Sequence, residues 1–273
     1  MIFNFKHRKI NLKQPRVMGI LNVTPDSFFD GGKYKSDKEI VKQTKKMLKE
    51  GATFIDIGAY SSRPNARHIS EKEELKRILP IVKLLIKEFP DILISIDTFR
   101  SKVAQKCIDA GACMINDISG GSMDKQMFST IAKNQVPYIL MHMKGTPQNM
   151  QSNPFYDNVT LDVISYFVEK TEQLKELGVK DIILDVGFGF GKTIEHNYKL
   201  LSELKHFLDL DYPILAGVSR KSMLYKVLNS KPSKMKNATT VANTIALLNG
   251  ATILRVHDVK ESVECIKIVE QLA

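Results

Sequence analysis

The sequence predicts an α/β protein built as one closed (β/α)8 barrel, the TIM barrel, over residues 1–273, with residues 1–14 as an N-terminal extension. Three observations predict this fold. Eight short apolar, β-branched runs are typical of parallel strands covered on both faces. Helical periodicity fills the stretches between them. Glycine recurs where predicted helices pass into strands, and 273 residues suffice for eight such units, since these barrels usually take roughly 250 residues.

Every predicted strand ends at or next to a residue that can bind a ligand or ionise. The strands are predicted at 17–22, 53–57, 92–97, 112–117, 137–142, 181–186, 213–218 and 251–256. The polar residues at their ends are Asn22, Asp56, Asp97, Asn116, His142, Asp185, Ser219 and Arg255. Because the carboxyl ends of barrel strands share one face, where active sites lie, we expect one common pocket.

The predicted helices alternate with these strands. The clearest has its apolar residues at spacings of three and four, which places them on one face: Leu75, Ile78, Leu79, Val82, Leu85, Ile86 and Phe89. Gly51, Gly111, Gly178 and Gly250 stand just before strands, as expected of left-handed helix ends. An open doubly wound sheet also alternates strands and helices and is the main alternative.

Composition agrees with one domain that has a sizeable core, because 43% of the residues are hydrophobic. No run approaches the roughly 20 apolar residues of a membrane span, and the first residues lack the apolar stretch of a secretory signal. We therefore expect no membrane partner and a cytoplasmic location. The cysteines, Cys107, Cys113 and Cys265, are odd in number and show no CxxC spacing, which argues against disulfides and zinc and favours buried thiols.

The net charge of +10 raises the hypothesis of a nucleic-acid partner. The lysines, however, are spread over predicted helix faces and alternate with glutamates, and no aromatic platform is interleaved with them. We therefore predict no nucleic-acid partner. The positive charge can still attract a small anionic substrate.

Three loops carry candidate binding residues. The glycine-rich run 185–193 resembles a phosphate loop, but Val186 occupies a glycine position of the Walker A pattern and Lys192 one of the dinucleotide pattern. It is therefore predicted to be a flexible loop or a tight turn at a strand end. Arg63, in the run Ser62-Arg63-Pro64, can reach an anion, and the run 217–222 places Ser219 and Lys221 at the mouth of the seventh strand.

Taken in order, the motifs of this chain resemble those of the dihydropteroate synthase family over nearly the whole length. They are Gly19-Ile20-Leu21-Asn22-Val23-Thr24-Pro25-Asp26-Ser27-Phe28, Asp56-Ile57-Gly58, Ser62-Arg63-Pro64, Ser95-Ile96-Asp97-Thr98, Ile115-Asn116-Asp117, Gly187-Phe188-Gly189-Phe190-Gly191-Lys192-Thr193, Ser219-Arg220-Lys221-Ser222 and Arg255-Val256-His257-Asp258-Val259.

The resemblance implies an enzyme of folate biosynthesis that joins 4-aminobenzoate to (7,8-dihydropterin-6-yl)methyl diphosphate and releases diphosphate. It implies Mg2+ as cofactor, a homodimer, and sulfonamides as competitors of 4-aminobenzoate. Departure of diphosphate leaves a cation that the dihydropterin can delocalise, so a dissociative, SN1-like displacement is expected.

The resemblance also implies residue roles. Catalytic roles fall to Asp97, Asp185, Lys221 and Arg255. The pterin would contact Asp97, Asn116, Asp185 and Lys221. The 4-aminobenzoate would contact Ser62, Arg63, Pro64, Ser219 and Lys221. The diphosphate would contact Asn22, Ser62, Arg63, Arg255 and His257, with Asn22 as the magnesium ligand. A helix beginning at Asp258, with Glu261 in a capping box, would add backbone N–H groups.

Several alternatives remain open at this point. Asn116 can instead cap a turn, Asp97 can pair with Arg100, and Lys221 can form a Schiff base as in barrel aldolases. His68 and His142 are interpreted as structural. Loops 24–35 and 61–70 are predicted to be lids.

The motifs also depart from the family pattern, at Tyr60, Ser62, Asn65 and Val186. The rival function is a pterin-binding methyltransferase. It needs no diphosphate cradle, so the arginine and lysine motifs favour the synthase.

Overall fold

The computed structural model describes residues 1–5, 8–23, 36–61 and 68–272. Eight parallel strands form a closed barrel in the order β10-β3-β4-β5-β6-β7-β8-β9, which confirms the predicted fold and excludes the open sheet. The strands are β3 (Arg16–Asn22), β4 (Phe54–Gly58), β5 (Ile94–Asp97), β6 (Met114–Asp117), β7 (Tyr138–Met141), β8 (Ile182–Asp185), β9 (Ile214–Ala216) and β10 (Ile253–Val256). Each lies within two residues of the predicted bounds.

Helices connect the strands on the outside of the barrel. They are α1 (Asp37–Lys49), α2 (Glu71–Glu88), α3 (Ser101–Asp109), α4 (Met127–Asn134), α5 (Val159–Glu176), α6 (Ile194–Ser202), α7 (Ser222–Val227), α8 (Lys236–Leu248) and α9 (Val259–Val269), with short 3-10 turns at Leu204–Leu210, Pro232–Lys234 and Glu270–Leu272. The predicted helix around 75–89 corresponds to α2. It begins after Ser70, whose side chain accepts a hydrogen bond from the Glu73 N–H.

The alternation of side chains along each strand divides the core into two layers. In β4, Ile55 and Ile57 belong to the outer apolar layer between strands and helices, whereas Phe54 belongs to the barrel interior. Since successive side chains point to opposite faces of a strand, Asp56 points inward with Phe54. The face of β4 toward the helices is therefore apolar.

A β-hairpin closes the amino end of the barrel. Its strands β1 (Ile2–Phe5) and β2 (Arg8–Asn11) are antiparallel and stand apart from the barrel sheet. Phe5 and Leu12 are fully buried and pack against the interior residues of the barrel strands. The ring centroids of Phe5 and Phe54 are 4.9 Å apart. Within the predicted N-terminal extension, the sequence did not reveal this hairpin.

Two smaller expectations have clear outcomes. All three cysteines are buried thiols, as predicted, and none forms a disulfide within the described residues. The capping box at the start of α9 is wrong, because Asp258 makes no side-chain cap and Glu261 lies 2.7 Å from the ammonium of Lys236 instead. Among the described helices, none is long and apolar enough to cross a membrane.

Candidate functional site

Four polar side chains occupy the carboxyl end of the barrel interior. Each of them follows an apolar interior residue by two positions and therefore also points into the barrel. The pairs are Phe54 and Asp56, Met114 and Asn116, Ile183 and Asp185, and Ile253 and Arg255. All four polar residues are buried. Two acids, an amide and a guanidinium therefore lie at the same level of the barrel interior.

Several buried atoms of these residues have no hydrogen-bond partner within the described ranges. They are Asp56 Oδ1, Asn116 Oδ1, Asp185 Oδ2 and Arg255 Nη1. Buried polar groups are nearly always hydrogen-bonded, and leaving one unpaired costs roughly 1–3 kcal/mol. Such a concentration of unpaired atoms at one end of a barrel indicates a pocket whose polar groups a ligand completes.

The remaining atoms of this group are held firmly. Asn116 donates from Nδ2 to Asp56 Oδ2 at 2.9 Å, and Arg255 Nη1 lies 3.7 Å from the same oxygen. Asp185 Oδ1 accepts from the backbone N–H of Gly187 at 2.8 Å. Asp56, Asn116 and Asp185 are thus each fixed through one atom while another stays available, whereas Arg255 Nη1 has only the 3.7 Å ion pair with Asp56. For Asn116 this excludes the alternative of a turn cap.

Asp97 stands beside this group at the end of β5. Burial, together with the neighbouring carboxylate of Asp56, raises the pKa of Asp97 to about 8, while Arg255 opposes the shift. A carboxyl group that keeps its proton near neutral pH can donate a hydrogen bond as well as accept one. The alternative pairing of Asp97 with Arg100 is wrong, because Arg100 forms its ion pair with the buried Glu74.

Asn22 lies next to Asp97 at the strand ends. A Cβ atom added to Gly58 would be 3.4 Å from Asp97 Oδ2 and 3.5 Å from Asn22 Oδ1. Both oxygens therefore border the same small space above β4. The absence of a side chain at Gly58 keeps that space open to a ligand.

Lys221 reaches the pocket from the loop after β9. Its ammonium donates to the carbonyl of Phe188 and lies 4.7 Å from the ring centroid of Phe190. Burial lowers the pKa of Lys221 to about 7, although Asp185 opposes the shift. Arg255 lowers that pKa as well. Lys221 therefore lies close enough to Arg255 and to the Asp185 carboxylate for both charges to affect its pKa.

Arg255 is the permanent cation of the site. Burial alone would lower its pKa, but Asp185, Asp56 and Asp97 raise it above its ordinary value. It therefore stays charged among three acids. Asp185 and Arg255 both act on the pKa of Lys221, so the three residues lie near one another, while their roles stay predictions.

Ser219 and His257 lie on the loops after β9 and β10. Ser219 Oγ accepts a hydrogen bond from the backbone N–H of His257 at 3.3 Å, which joins the two loops. Between them, Arg220 has a positive φ of 57° and pairs with Asp258 at 2.7 Å. Arg220 thus fixes the turn that carries Ser219 and Lys221, and Asp258 serves this ion pair instead of capping its helix.

An apolar cluster lines the same end of the barrel, formed by residues that stand at or follow the carboxyl ends of strands. Its members are Tyr60, Phe99, Ile118, Met141, Met143, Met150 and Phe190. A wall of this kind excludes water and strengthens the electrostatic interactions beside it.

The predicted contacts of Ser62, Arg63 and Pro64 fall outside the described residues, as does the lid predicted at 24–35 and most of the one at 61–70. Their roles stay predictions.

The sequence reasoning missed two residues of the site. Asp56 was noted at a strand end but given no role, although strand alternation from the interior Phe54 predicts that it points inward. Lys192 was considered only as a departure from a phosphate-loop pattern, yet its side chain is buried. No local pattern distinguishes such a lysine from an exposed one.

Comparisons with known proteins agree with this geometry. Residues 18–257 match the sequence pattern of a family described as "Pterin binding enzyme". The chain is 43% identical to dihydropteroate synthase of Escherichia coli K12 over 263 residues, which covers 96% of this chain and 93% of that protein. It is 42% identical to the Haemophilus influenzae synthase over 266 residues, covering 97% and 96% of the two chains.

Solved structures are similar over the full chain. A Yersinia pestis dihydropteroate synthase in a sulfonamide drug complex superposes with a TM-score of 0.96 at 42% identity, covering 100% of this chain and 99% of that one. A Xanthomonas albilineans dihydropteroate synthase in complex with 7,8-dihydropteroate gives a TM-score of 0.88 at 32% identity, covering 100% and 98%.

Proposed function

The chain belongs to the pterin-binding enzymes and, among them, to the dihydropteroate synthase family, and we propose that the site at the carboxyl end of its barrel carries out that family's reaction as follows. The chain is a transferase of groups other than methyl and acts in folate synthesis. The observation that carries the assignment of the site is the set of unpaired buried atoms on Asp56, Asn116, Asp185 and Arg255, gathered at one end of the barrel.

The reaction joins an aryl amine to a methylene carbon. The bond between the exocyclic methylene and the diphosphate oxygen breaks, and diphosphate leaves with the electron pair. The amine nitrogen of 4-aminobenzoate then bonds to that carbon and loses one proton. The aryl amine is neutral near pH 7 and already nucleophilic, so no dedicated base precedes the attack. What the protein must supply is orientation and stabilisation of separated charges.

Asp185, Asn116 and Asp97 bind the pterin in this proposal. The pterin edge presents adjacent N–H donors, and a carboxylate accepts two such bonds in parallel. The free Oδ2 of Asp185 and the free Oδ1 of Asn116 support this role. Asp97, with its raised pKa, can both donate to and accept from the ring. Lys221 binds the pterin carbonyl region and flanks the aminobenzoate.

The departing diphosphate needs cations and donors. Arg255 provides a permanent charge, and its Nη1 has no hydrogen-bond partner within the described residues. His257 follows it by two positions and donates its backbone N–H to Ser219. Asn22, Ser62 and Arg63 complete this subsite in the proposal. A dissociative, SN1-like displacement suits the pocket, because the apolar wall excludes water while fixed charges stabilise the separating ions.

Ser219 and Lys221 bind the 4-aminobenzoate, together with Ser62, Arg63 and Pro64. The position of Ser219 and Lys221 on one turn supports a shared contact with a small aromatic acid, and Phe190 lies beside that lysine. Sulfonamides, which resemble 4-aminobenzoate in shape and charge, should therefore compete with it. Inhibition that excess 4-aminobenzoate does not relieve would contradict this subsite.

Magnesium fits the residues only with help from the substrate. Among the described residues, no group of three His, Cys, Asp or Glu side chains could hold a metal ion. The Asn22 and Asp97 oxygens that border Gly58 suit a hard cation, which binds through few protein oxygens and takes the rest from phosphates and water. We propose that Asn22 holds Mg2+ with the diphosphate, where the ion would neutralise charge on the leaving group.

A homodimer and a cytoplasmic location also belong to the proposal. Three exposed apolar residues, Val241, Ile245 and Leu248, follow helical spacing on one face of α8, and a second copy would cover them. Val241→Glu should then yield monomers in sedimentation, and a monomeric wild type would contradict the dimer.

Three buried thiols suit the reducing cytoplasm.

The decisive experiment incubates purified protein with the dihydropterin diphosphate, 4-aminobenzoate and Mg2+ and measures diphosphate and dihydropteroate. The two products should appear in equal amounts. Absence of both, together with methyl transfer from methyltetrahydrofolate to a corrinoid protein, would favour the methyltransferase instead. Arg255→Ala should reduce turnover severely, because it removes the permanent cation, and unchanged kinetics would remove that residue from the mechanism.

A further inference from the structure

Below the pocket lies a buried lysine to which the reaction assigns no role. Lys192 is only 3% exposed. Its ammonium is surrounded by four acceptors: His142 Nδ1 at 2.9 Å, and the carbonyl oxygens of Phe190, Gly187 and His142 at 3.0, 3.1 and 3.3 Å. Within the described ranges, no carboxylate lies within ion-pair distance of it. The group is therefore held by neutral acceptors alone.

A buried ammonium without an ion pair is costly, so the arrangement calls for a specific benefit. Burial lowers the pKa of Lys192 to about 7, with Asp185 opposing the shift. A methionine or leucine of similar length would fill the same space without that cost. Only the ammonium can donate hydrogen bonds to two segments at once, the end of β7 and the loop after β8.

The loop after β8 is bound tightly by side chains, among them two that follow it in the chain. Besides the two carbonyls that accept from Lys192, the Gly189 N–H donates to Asn197 Oδ1 at 2.6 Å. Gly187 has a positive φ of 70°, and a Cβ there would be 1.9 Å from the His142 carbonyl oxygen. The loop thus lies directly on the end of β7, and four side chains bind its backbone: Lys192, Asn197, Gln151, which donates to the Gly189 carbonyl at 2.7 Å, and Tyr156, which donates to the Gly191 carbonyl at 2.7 Å.

Lys221 rests on the other side of this loop. Its ammonium donates to the Phe188 carbonyl, which lies between the two carbonyls bound by Lys192. A Cβ on Gly189 would be 3.2 Å from Lys221 Cδ, so the stem of Lys221 also packs on the loop backbone. The loop therefore separates two lysines and contacts both.

We propose that Lys192 is a positioning residue for the synthase reaction: it fixes residues 187–191 so that the Phe188 carbonyl holds Lys221 in place to bind the pterin. The inference rests on the proposed function of Lys221. Lys192 itself does not touch substrate. It acts through the loop, and Asn197 is another anchor of the same loop.

The geometry also sets the tautomer of His142. Because the ammonium form of Lys192 can only donate, Nδ1 of His142 accepts whenever Lys192 is protonated, below about pH 7, and the ring proton then lies on Nε2. Burial lowers the pKa of His142 well below its ordinary value, which keeps the ring neutral. Loss of the ammonium would free Nδ1 to take the proton. The tautomer therefore reports whether Lys192 makes this bond in solution.

The test is a set of double-mutant cycles on purified full-length enzyme. Lys192→Met should lower kcat/KM for the dihydropterin diphosphate by about 10- to 100-fold, the scale of loss from misplacing a catalytic contact by about 1 Å. Combined with Lys221→Ala, it should add little further loss. Combined with Arg255→Ala, the two losses should multiply, because Arg255 does not lie on this loop. Lys199→Met, an exposed lysine on α6, is the matched control and should leave the kinetics unchanged.

Two outcomes would overturn the inference: wild-type kinetics for Lys192→Met, or losses that multiply with Lys221→Ala as fully as with Arg255→Ala. The 15N shifts of His142 should show Nε2 protonated in the wild type and a tautomer change in Lys192→Met, and a protonated Nδ1 in the wild type would contradict the geometry. If Lys192→Met does not fold, Asn197→Ala decides by the same cycles. A wild-type protein without synthase activity would instead contradict the proposed function.

Discussion

The two ends of the barrel use the same eight strands for opposite purposes. At the amino end the interior positions hold Met18, Phe54, Met114, Ile139, Ile183, Leu215 and Ile253, covered by the hairpin residues Phe5 and Leu12. Two positions further along four of these strands, the interior holds Asp56, Asn116, Asp185 and Arg255. One end is thus filled by the protein itself, and the other is left with unpaired polar atoms.

The difference shows where stability and function are separated in this fold. Apolar side chains at the amino end gain free energy when the chain folds. The buried acids, amide and arginine at the carboxyl end cost free energy until a ligand completes their hydrogen bonds. Mutations at the two ends should therefore act on different measurements, and the four predictions that follow test this division.

The largest expected effect on stability comes from the amino end. Phe5→Ala should lower the free energy of unfolding by about 3–5 kcal/mol, because it removes a fully buried ring from the closed end of the barrel. Turnover should stay near the wild-type value. Chemical denaturation and the diphosphate assay measure the two quantities. Ile2→Ala is the control, since Ile2 is exposed on the same hairpin. A strong loss of turnover in the folded Phe5 variant would contradict the separation of stability at the amino end from function at the carboxyl end.

The largest expected effect on activity comes from the carboxyl end. Lys221→Ala should lower turnover by about 100- to 1000-fold, the usual cost of removing one preorganised charge or donor from an active site. The free energy of unfolding should not fall, because a buried ammonium beside Arg255 is lost. Lys226→Ala on α7, where the lysine is exposed, should change neither quantity. Equal activity of the two variants would remove Lys221 from the mechanism.

A smaller, mixed effect is expected at Asn116, which belongs to both categories. Asn116→Ala should weaken binding of the dihydropterin diphosphate, since the free Oδ1 is lost. It should also lower the free energy of unfolding by about 1–3 kcal/mol, because Asp56 Oδ2 loses its donor while remaining buried. Titration calorimetry and denaturation test the two effects. An unchanged affinity would show that Asn116 only supports Asp56.

The last prediction concerns the pH dependence of stability. Because the pKa of Asp97 is raised to about 8, the folded chain holds a proton there that the unfolded chain loses near pH 4. More protons bound in the folded state mean that the free energy of unfolding falls as pH rises, and this contribution acts between about pH 4 and pH 8.

The comparison variant for this effect is Asp97→Asn. Between pH 5 and pH 7 its free energy of unfolding should fall less than that of the wild type. The pKa values of Lys192 and Lys221 are lowered to about 7. Above pH 7 these two lysines make the free energy of unfolding rise with pH, so the comparison is limited to pH 5–7. Parallel pH curves for the two proteins would contradict a raised pKa at Asp97.

Much of the fold followed from the sequence because its signals are local. Eight β-branched runs, the glycines at the joints and the helical spacing around Leu75 each depend on neighbours within a few residues. The hairpin at the amino end escaped prediction because short, weakly alternating strands such as Ile2–Phe5 acquire their burial only against the barrel. The capping box failed for a related reason, since Lys236, distant in sequence, competes for Glu261.

The candidate site divides in the same way. The sequence by itself determined which polar residues stand at the strand ends, and thereby brought Asp97, Asn116, Asp185 and Arg255 into one hypothesis. Only the tertiary structure decided which atoms of these residues lack partners, that Asp56 joins them, and that Lys192 is buried among carbonyls. The physical reason is that desolvation and unmet hydrogen bonds depend on everything that surrounds an atom, and here the surroundings come from eight strands distant in the chain.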